Sequence, residues 1–402
     1  MITLLTNTVL TDIATGTQTS TITEPTVAAS SRNVFVTGNW FASRSTDRGS
    51  TFTLLDPFSE FPPASNTFCC DQLAWYSKKH RRWIWVLQYR ADTTGSNVLR
   101  IAVSRTGASG SWTFWDLRPA DVDPSWTGLW FDFPDIGETG EHLWLSTNVF
   151  KTNAWQHSTV LRIPWTDLKS SGELSRRVWS SDQVSAPRFA VGATDTMWFA
   201  SLGNGANEVE LFSWTDSSVT GSNWTVSVSG WNSGNYVSNG PGGAPWLSRA
   251  DDRITGAWIH GDTVGFLWTA ASRTGRPHPY IRAVRISTTT RTVIDEPDLW
   301  SPNGAWAYPS AAPNRNGGIG ISAFFGGPTH PAHAVGKLDV TTVSWDMRTT
   351  ATSTHGPNLG KWGDYLTCRP HPTKHNAWIT VGYTLNGGND REFVEPRYVV
   401  FS

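Results

Sequence analysis

Cys70-Asp71-Gln72-Leu73-Ala74, followed by Trp83-Ile84-Trp85-Val86-Leu87-Gln88-Tyr89, is a short opening strand and then an apolar run with the aromatic and β-branched content of a buried strand. The pair recurs along the chain with different letters. Openings stand at Glu24-Pro25-Thr26-Val27-Ala28, Phe131-Asp132-Phe133-Pro134-Asp135, Ala186-Pro187-Arg188-Phe189-Ala190, Pro245-Trp246-Leu247-Ser248-Arg249, Ala307-Tyr308-Pro309-Ser310-Ala311 and Gly363-Asp364-Tyr365-Leu366-Thr367. Apolar second strands follow at Val34–Trp40, His142–Thr147, Met197–Ser201, Ile254–Ile259, Ile319–Phe324 and Ala377–Tyr383. The spacing is irregular but averages roughly 40–50 residues, the length of a propeller blade. No segment carries a helical period.

Radial repetition builds this much antiparallel sheet without leaving long edges open. The sequence therefore predicts an all-β chain forming one seven-bladed β-propeller domain over residues 1–402, with Ile2-Thr3-Leu4-Leu5 supplying the last strand and closing the ring. Six blades is the alternative, if two units are one blade with a long insertion. Pro and Gly fall at turn positions throughout, and no linker or low-complexity tract divides the chain. Most of the 24 Trp are expected between blades, where flat side chains bury large areas. A net charge of −1 with 16% charged residues gives no electrostatic footprint for nucleic acid. No apolar run is long enough to span a membrane, and a soluble monomer is expected. The N-terminus shows no signal-peptide pattern, so localisation stays open, with secretion the working expectation.

A ring of repeats brings the openings to one mouth. Glu24, Asp71, Asp132 and Asp364 would lie along one arc, and Arg188, Trp246, Arg249 and Tyr308 along the other, with Gln72 and Tyr365 beside them. Acids facing cations and aromatics suit a polar, ring-shaped ligand, an oligo- or polysaccharide. Crowded carboxylates cannot all ionise cheaply, so one retains its proton while another loses it, which is the acid and base of a glycosidase. No metal site or cofactor is assigned, although the same oxygens would also suit Ca²⁺, and His330-Pro331-Ala332-His333 is a weak metal spacing. A carbohydrate-binding, non-enzymatic reading places Trp40, Trp246 or Trp306 against sugar faces. Cys69-Cys70 reads as two buried thiols or, alternatively, as a vicinal disulfide at the mouth.

Ser45-Thr46-Asp47-Arg48-Gly49-Ser50-Thr51-Phe52 has the form Ser-x-Asp-x-Gly-x-Thr-aromatic, the Asp-box turn, and looser echoes occur at 104–112 and 214–224. On this motif the chain resembles the sialidase-like, Asp-box (BNR repeat) superfamily of β-propellers, in an uncharacterised branch. The resemblance implies the propeller fold, with the motif as a turn between third and fourth strands. Sialidases hold a substrate carboxylate with three arginines. Arg188 and Arg249 are the matching candidates near inner strands, joined by Arg369 and Arg397, while the Arg-Ile-Pro letters at Arg162-Ile163-Pro164 fall late in their unit. Resemblance to propeller polysaccharide lyases implies a second chemistry on uronate-containing glycans. There His278, Tyr280 or Tyr308 would act as base, with Arg188 neutralising the uronate.

Overall fold

A computed structural model of the chain describes residues 1–10, 19–64, 66–107 and 110–402. Seven antiparallel sheets of four strands each make up the fold. Six of them follow chain order, opening at Thr26, Phe68, Trp130, Arg188, Ile254 and Ala305. The seventh, opening at Thr367, is completed by Leu4–Val9 pairing with Val394–Phe401, so the N-terminal strand closes the ring. The first strands of successive blades touch one another in cyclic order, which places them around a common axis. The molecule is a seven-bladed β-propeller. Among the described residues, no helix is long and apolar enough to cross a membrane.

The second strands hold the wheel together because each packs large side chains into the wedge beside it. Trp85, Trp144, Trp268 and Trp378 are fully buried there. Gln72 is equally buried, and it works on structure rather than on substrate. Its Nε2 donates to the carbonyls of Gly38 (2.8 Å) and Phe41 (3.0 Å) in the first blade, and its Oε1 accepts from the Trp85 indole at 2.9 Å. Gln72→Leu would orphan two carbonyls and an indole N–H inside the core. A stability loss of about 3 kcal/mol is expected, read as a lower denaturation midpoint at unchanged slope; a change below about 0.5 kcal/mol would remove this stapling role.

The Ser45–Phe52 motif forms the expected turn between the third and fourth strands of its blade. Asp47 accepts from the backbone of Ser50 (3.1 Å) and Thr51 (2.9 Å) and from the hydroxyls of Ser45 and Thr51 (each 2.7 Å). These bonds hold its carboxyl down at about 2. Gly49 has φ +85°, and a Cβ there would lie 2.3 Å from the Tyr398 ring, so both backbone and space demand glycine. Phe52 meets the same ring edge-on.

The fifth blade departs from the sequence reading. Its inner strand is Ile254–His260 and its second strand Thr263–Ala270, one step later than expected. The segment around Trp246 reads as a strand because it is apolar, yet it is a loop that pushes the indole into the core against Gly326. Trp246 is completely buried, bonded through Nε1 to Ser238, and Trp306 is buried as well. Neither can stack on a sugar; Trp40 alone of the three is half-exposed.

Candidate active site

Several inner strands are distorted where they begin. The register slips between Asp132 and Asp135, between Ala307 and Ser310, and between Phe68 and Gln72. Phe133 (φ +52°) and Tyr308 (φ +55°) take the left-handed conformation inside these bulges, as do Glu24 (+45°) and Ala186 (+50°) just ahead of their strands. Each costs about 1–2 kcal/mol in a non-glycine residue. Such strain and such bulges gather where side chains must be re-aimed, beside functional sites.

The side chains so aimed form one cluster on the axis. Glu24 and Asp71 face each other within hydrogen-bonding reach, with Asn39 Nδ2 donating to Glu24 Oε2 at 2.6 Å. Asp132 lies close to Asp71 and accepts from Gln88 Nε2 at 3.1 Å. Asp364 is gripped by Arg249 (2.8 Å) and Arg253 (3.6 Å). Arg253 also pairs with Asp251 at 2.6 Å and lies over the Phe133 ring at 3.9 Å. Arg188 pairs with Asp135 at 3.4 Å and faces the Tyr365 ring at 5.9 Å. Glu24, Asp71 and Asp364 are buried. Asp132, Arg249, Asp251 and Arg253 reach solvent.

Burial is the leading cause of every carboxyl shift here. It lifts Glu24 well above the usual range, helped by the charges of Asp71 and Asp364. It pushes Asp71 up to about 7, with Asp132 adding to the effect. Asp132 is raised too, but the Gln88 bond, the Phe133 N–H and Arg253 all favour its anion. The phenols of Tyr308 and Tyr365 are raised well above theirs by burial, and neither hydroxyl has a partner among the described residues.

A raised carboxyl makes stability depend on pH in a definite sense. Unfolded Asp loses its proton near about 4, whereas folded Asp71 keeps it to about 7. The contribution is therefore complete below about 4 and lost as the pH climbs through about 7. Buried His333, pulled down to about 3, works in the opposite sense, so the diagnostic quantity is a difference between proteins. Asp71→Asn is expected to gain on wild type in thermal midpoint as the pH rises from about 5 to about 8. A pH-independent difference would refute the assignment of that proton.

The structure brings Glu24, Asp71, Asp132, Asp364, Arg188, Arg249, Tyr308 and Tyr365 to one place, but in a different arrangement from that expected. Acids and cations are not on opposite arcs; Arg249 and Arg253 are threaded among the acids, and Arg188 is held by Asp135. Arg253, Asp251, Asp135 and Asn39 are members that the sequence reading missed. His278 is not one of the group. It is half-buried in the 271–279 loop and makes no hydrogen bond or ion pair with the described residues. Arg369 lines a cavity farther along the axis, Arg397 faces Glu395, and Arg162 packs over Trp214, so none of these three joins Arg188 and Arg249; the third arginine at the cluster is Arg253. Among the described residues no group of three or more His, Cys, Asp or Glu is placed to hold a metal. Two guanidinium groups already occupy the cationic positions beside Asp364. His333 is buried between Ser322 and Thr350, outside any ligand set. Cys69 and Cys70 are half-buried and joined as a vicinal disulfide immediately before Asp71, which replaces the reading of two buried thiols.

No protein-family model matches the chain, and no curated protein matches it in sequence. Solved structures match it in fold. A GH93 α-L-arabinofuranosidase of Fusarium graminearum with arabinobiose superposes with a TM-score of 0.51 at 10% identity, covering 99% of this chain and 97% of that one. A mutant α-L-arabinofuranosidase from Fusarium graminearum with an iminosugar inhibitor gives 0.52 at 10% identity over the same shares. A protein of unknown function from Dyadobacter fermentans gives 0.50 at 9% identity, covering 100% and 99%. At these identities the likeness is one of fold: the chain shares the propeller of these proteins.

Proposed function

We propose that the chain is a glycoside hydrolase that cleaves an oligosaccharide at the axial carboxylates, with Asp71 as proton donor and Asp132 as its ionised partner. The observation that carries this reading is the Asp71–Asp132 pair, two neighbouring carboxyls whose surroundings separate their roles. Asp71 is the more buried and is raised to about 7 partly by the charge of Asp132. Asp132 reaches solvent, and although burial raises its carboxyl as well, the Gln88 bond, the Phe133 N–H and Arg253 oppose that rise and favour its anion. A donor that holds its proton beside a partner that has lost one is what glycosidic cleavage requires. The proton passes from Asp71 to the glycosidic oxygen as the anomeric C–O bond breaks. Asp132 either takes a proton from the attacking water or attacks the anomeric carbon itself, and the product anomer distinguishes these routes. Glu24 sits behind Asp71 and hydrogen-bonds to it.

The fold likeness to arabinofuranosidases is compatible with this reading and makes arabinobiose the first oligosaccharide to try. Lyase chemistry is the weaker alternative, because burial makes Tyr280 and Tyr308 poor bases and His278 stands outside the cluster. The test is incubation with arabinobiose, aryl glycosides and uronate-containing polysaccharides, followed by product mass and ultraviolet absorbance. Products heavier by one water support hydrolysis. Unsaturated, absorbing products, or binding without turnover, would overturn it.

A further inference from the structure

A large cavity among the described residues lies away from the carboxylates. Phe68–Ser77 and Trp130–Glu138 carry Asp71 and Asp132 near their beginnings, and Trp75 and Glu138 near their ends. Around those ends, six of the seven blades contribute to a cavity of about 630 Å³ at the opposite end of the axis. That volume is in the range of small-molecule sites. Val27, Val191 and Ile379 give it apolar walls.

One side chain in it is anomalous. The Arg369 guanidinium lies 4.1 Å over the Trp75 ring, makes no hydrogen bond or ion pair with any described residue, and has its Nε shut off from solvent without a partner. Stacking satisfies the flat face of a guanidinium but leaves its N–H edge unsatisfied. Glu138 is the cavity's one lining carboxyl; it lies within hydrogen-bonding reach of Ser77 and Trp75, and its Oε2 is shut off from solvent. Exposed Lys78, Arg81 and Arg315 make the rim cationic.

We propose that this basal cavity is a second binding site, which takes a small organic acid, a carboxylate on a flat apolar body, with the carboxylate on the N–H edge of Arg369. The fork of donors on a guanidinium matches a carboxylate, and pairing inside an apolar wall is stronger than at an open surface. Burial raises Glu138 to about 7, so near pH 7 about half of its carboxyls carry a proton that can be donated to the bound anion, and the share grows as the pH falls. Arg369, lowered to about 10 by the same cause, stays cationic there. The site does not rest on the glycosidase reading: its lining shares no residue with the carboxylate cluster, although Arg369 feels the charges of Asp135 and Arg188.

Isothermal titration of the whole chain with sodium benzoate, benzamide and inorganic phosphate tests this. Benzoate is expected to bind once per chain, with benzamide and phosphate each at least about tenfold weaker. Arg369→Met should lose at least about tenfold in benzoate affinity, while Arg249→Met, at the other end of the axis, keeps it. If Arg369→Met does not fold, Arg369→Lys retains the charge but not the fork and should still lose about threefold or more. Failure of benzoate to bind, equal binding of benzamide or phosphate, or unchanged affinity in the Arg369 variants would overturn the proposal.

Discussion

Asp132→Asn is expected to lower turnover by at least about 10³-fold while oligosaccharide affinity changes by less than about twofold. Asparagine keeps the size and the contact with Gln88 but can neither take up a proton nor attack as an anion. Asp71→Asn should be equally damaging on natural linkages and far less so on aryl glycosides, whose leaving groups depart without a proton. The distinction follows from the assigned roles: one residue supplies a proton to the leaving oxygen, and the other supplies negative charge to the anomeric carbon. With Asp71 at about 7, wild-type activity should also fall as the pH rises past that value, and this limb should be missing for aryl substrates in Asp71→Asn. Equal losses on natural and aryl substrates in Asp71→Asn would remove it as the donor. Full turnover in Asp132→Asn would move the site elsewhere.

The acids were legible in the sequence for a simple reason. Asp71, Asp132, Glu24 and Asp364 each stand at the opening of a unit whose second strand is an unmistakable apolar run, so finding the repeat also found the axis. Arg253 was hidden by a phase error in the fifth blade. The Trp246 segment has strand-like composition but folds as a buried loop, which moved the true inner strand at Ile254–His260 into the place of the second. Asp135 was hidden by a bulge. Strict alternation fixes which way each side chain of a strand points, and the extra residue between Asp132 and Asp135 breaks that rule at the axis. The basal cavity leaves no pattern at all, because it is assembled from strand ends and loops of six different blades, with no shared residue type at those positions. Local sequence therefore records which units repeat, whereas the pairing of charges depends on bulges and loops that composition does not fix.

That pairing leads to the second large effect. Arg253→Met is expected to destabilise the fold by about 3 kcal/mol or more near pH 8 and by much less near pH 4. Arg253 binds Asp251 and Asp364 directly and lowers the cost of charge on Asp71 and Asp132. Methionine preserves the packing over Phe133 but leaves these carboxyls without their central cation. Asp71 and Asp132 then hold their protons to still higher pH in the folded chain. A folded value raised further above the unfolded one means more stability lost as the pH climbs, and none lost below about 4, where both states are protonated. Denaturation of wild type and variant at pH 4, 6 and 8 measures the difference directly. A penalty of the same size at all three would mean that Arg253 contributes packing alone, and that the carboxylates do not depend on its charge.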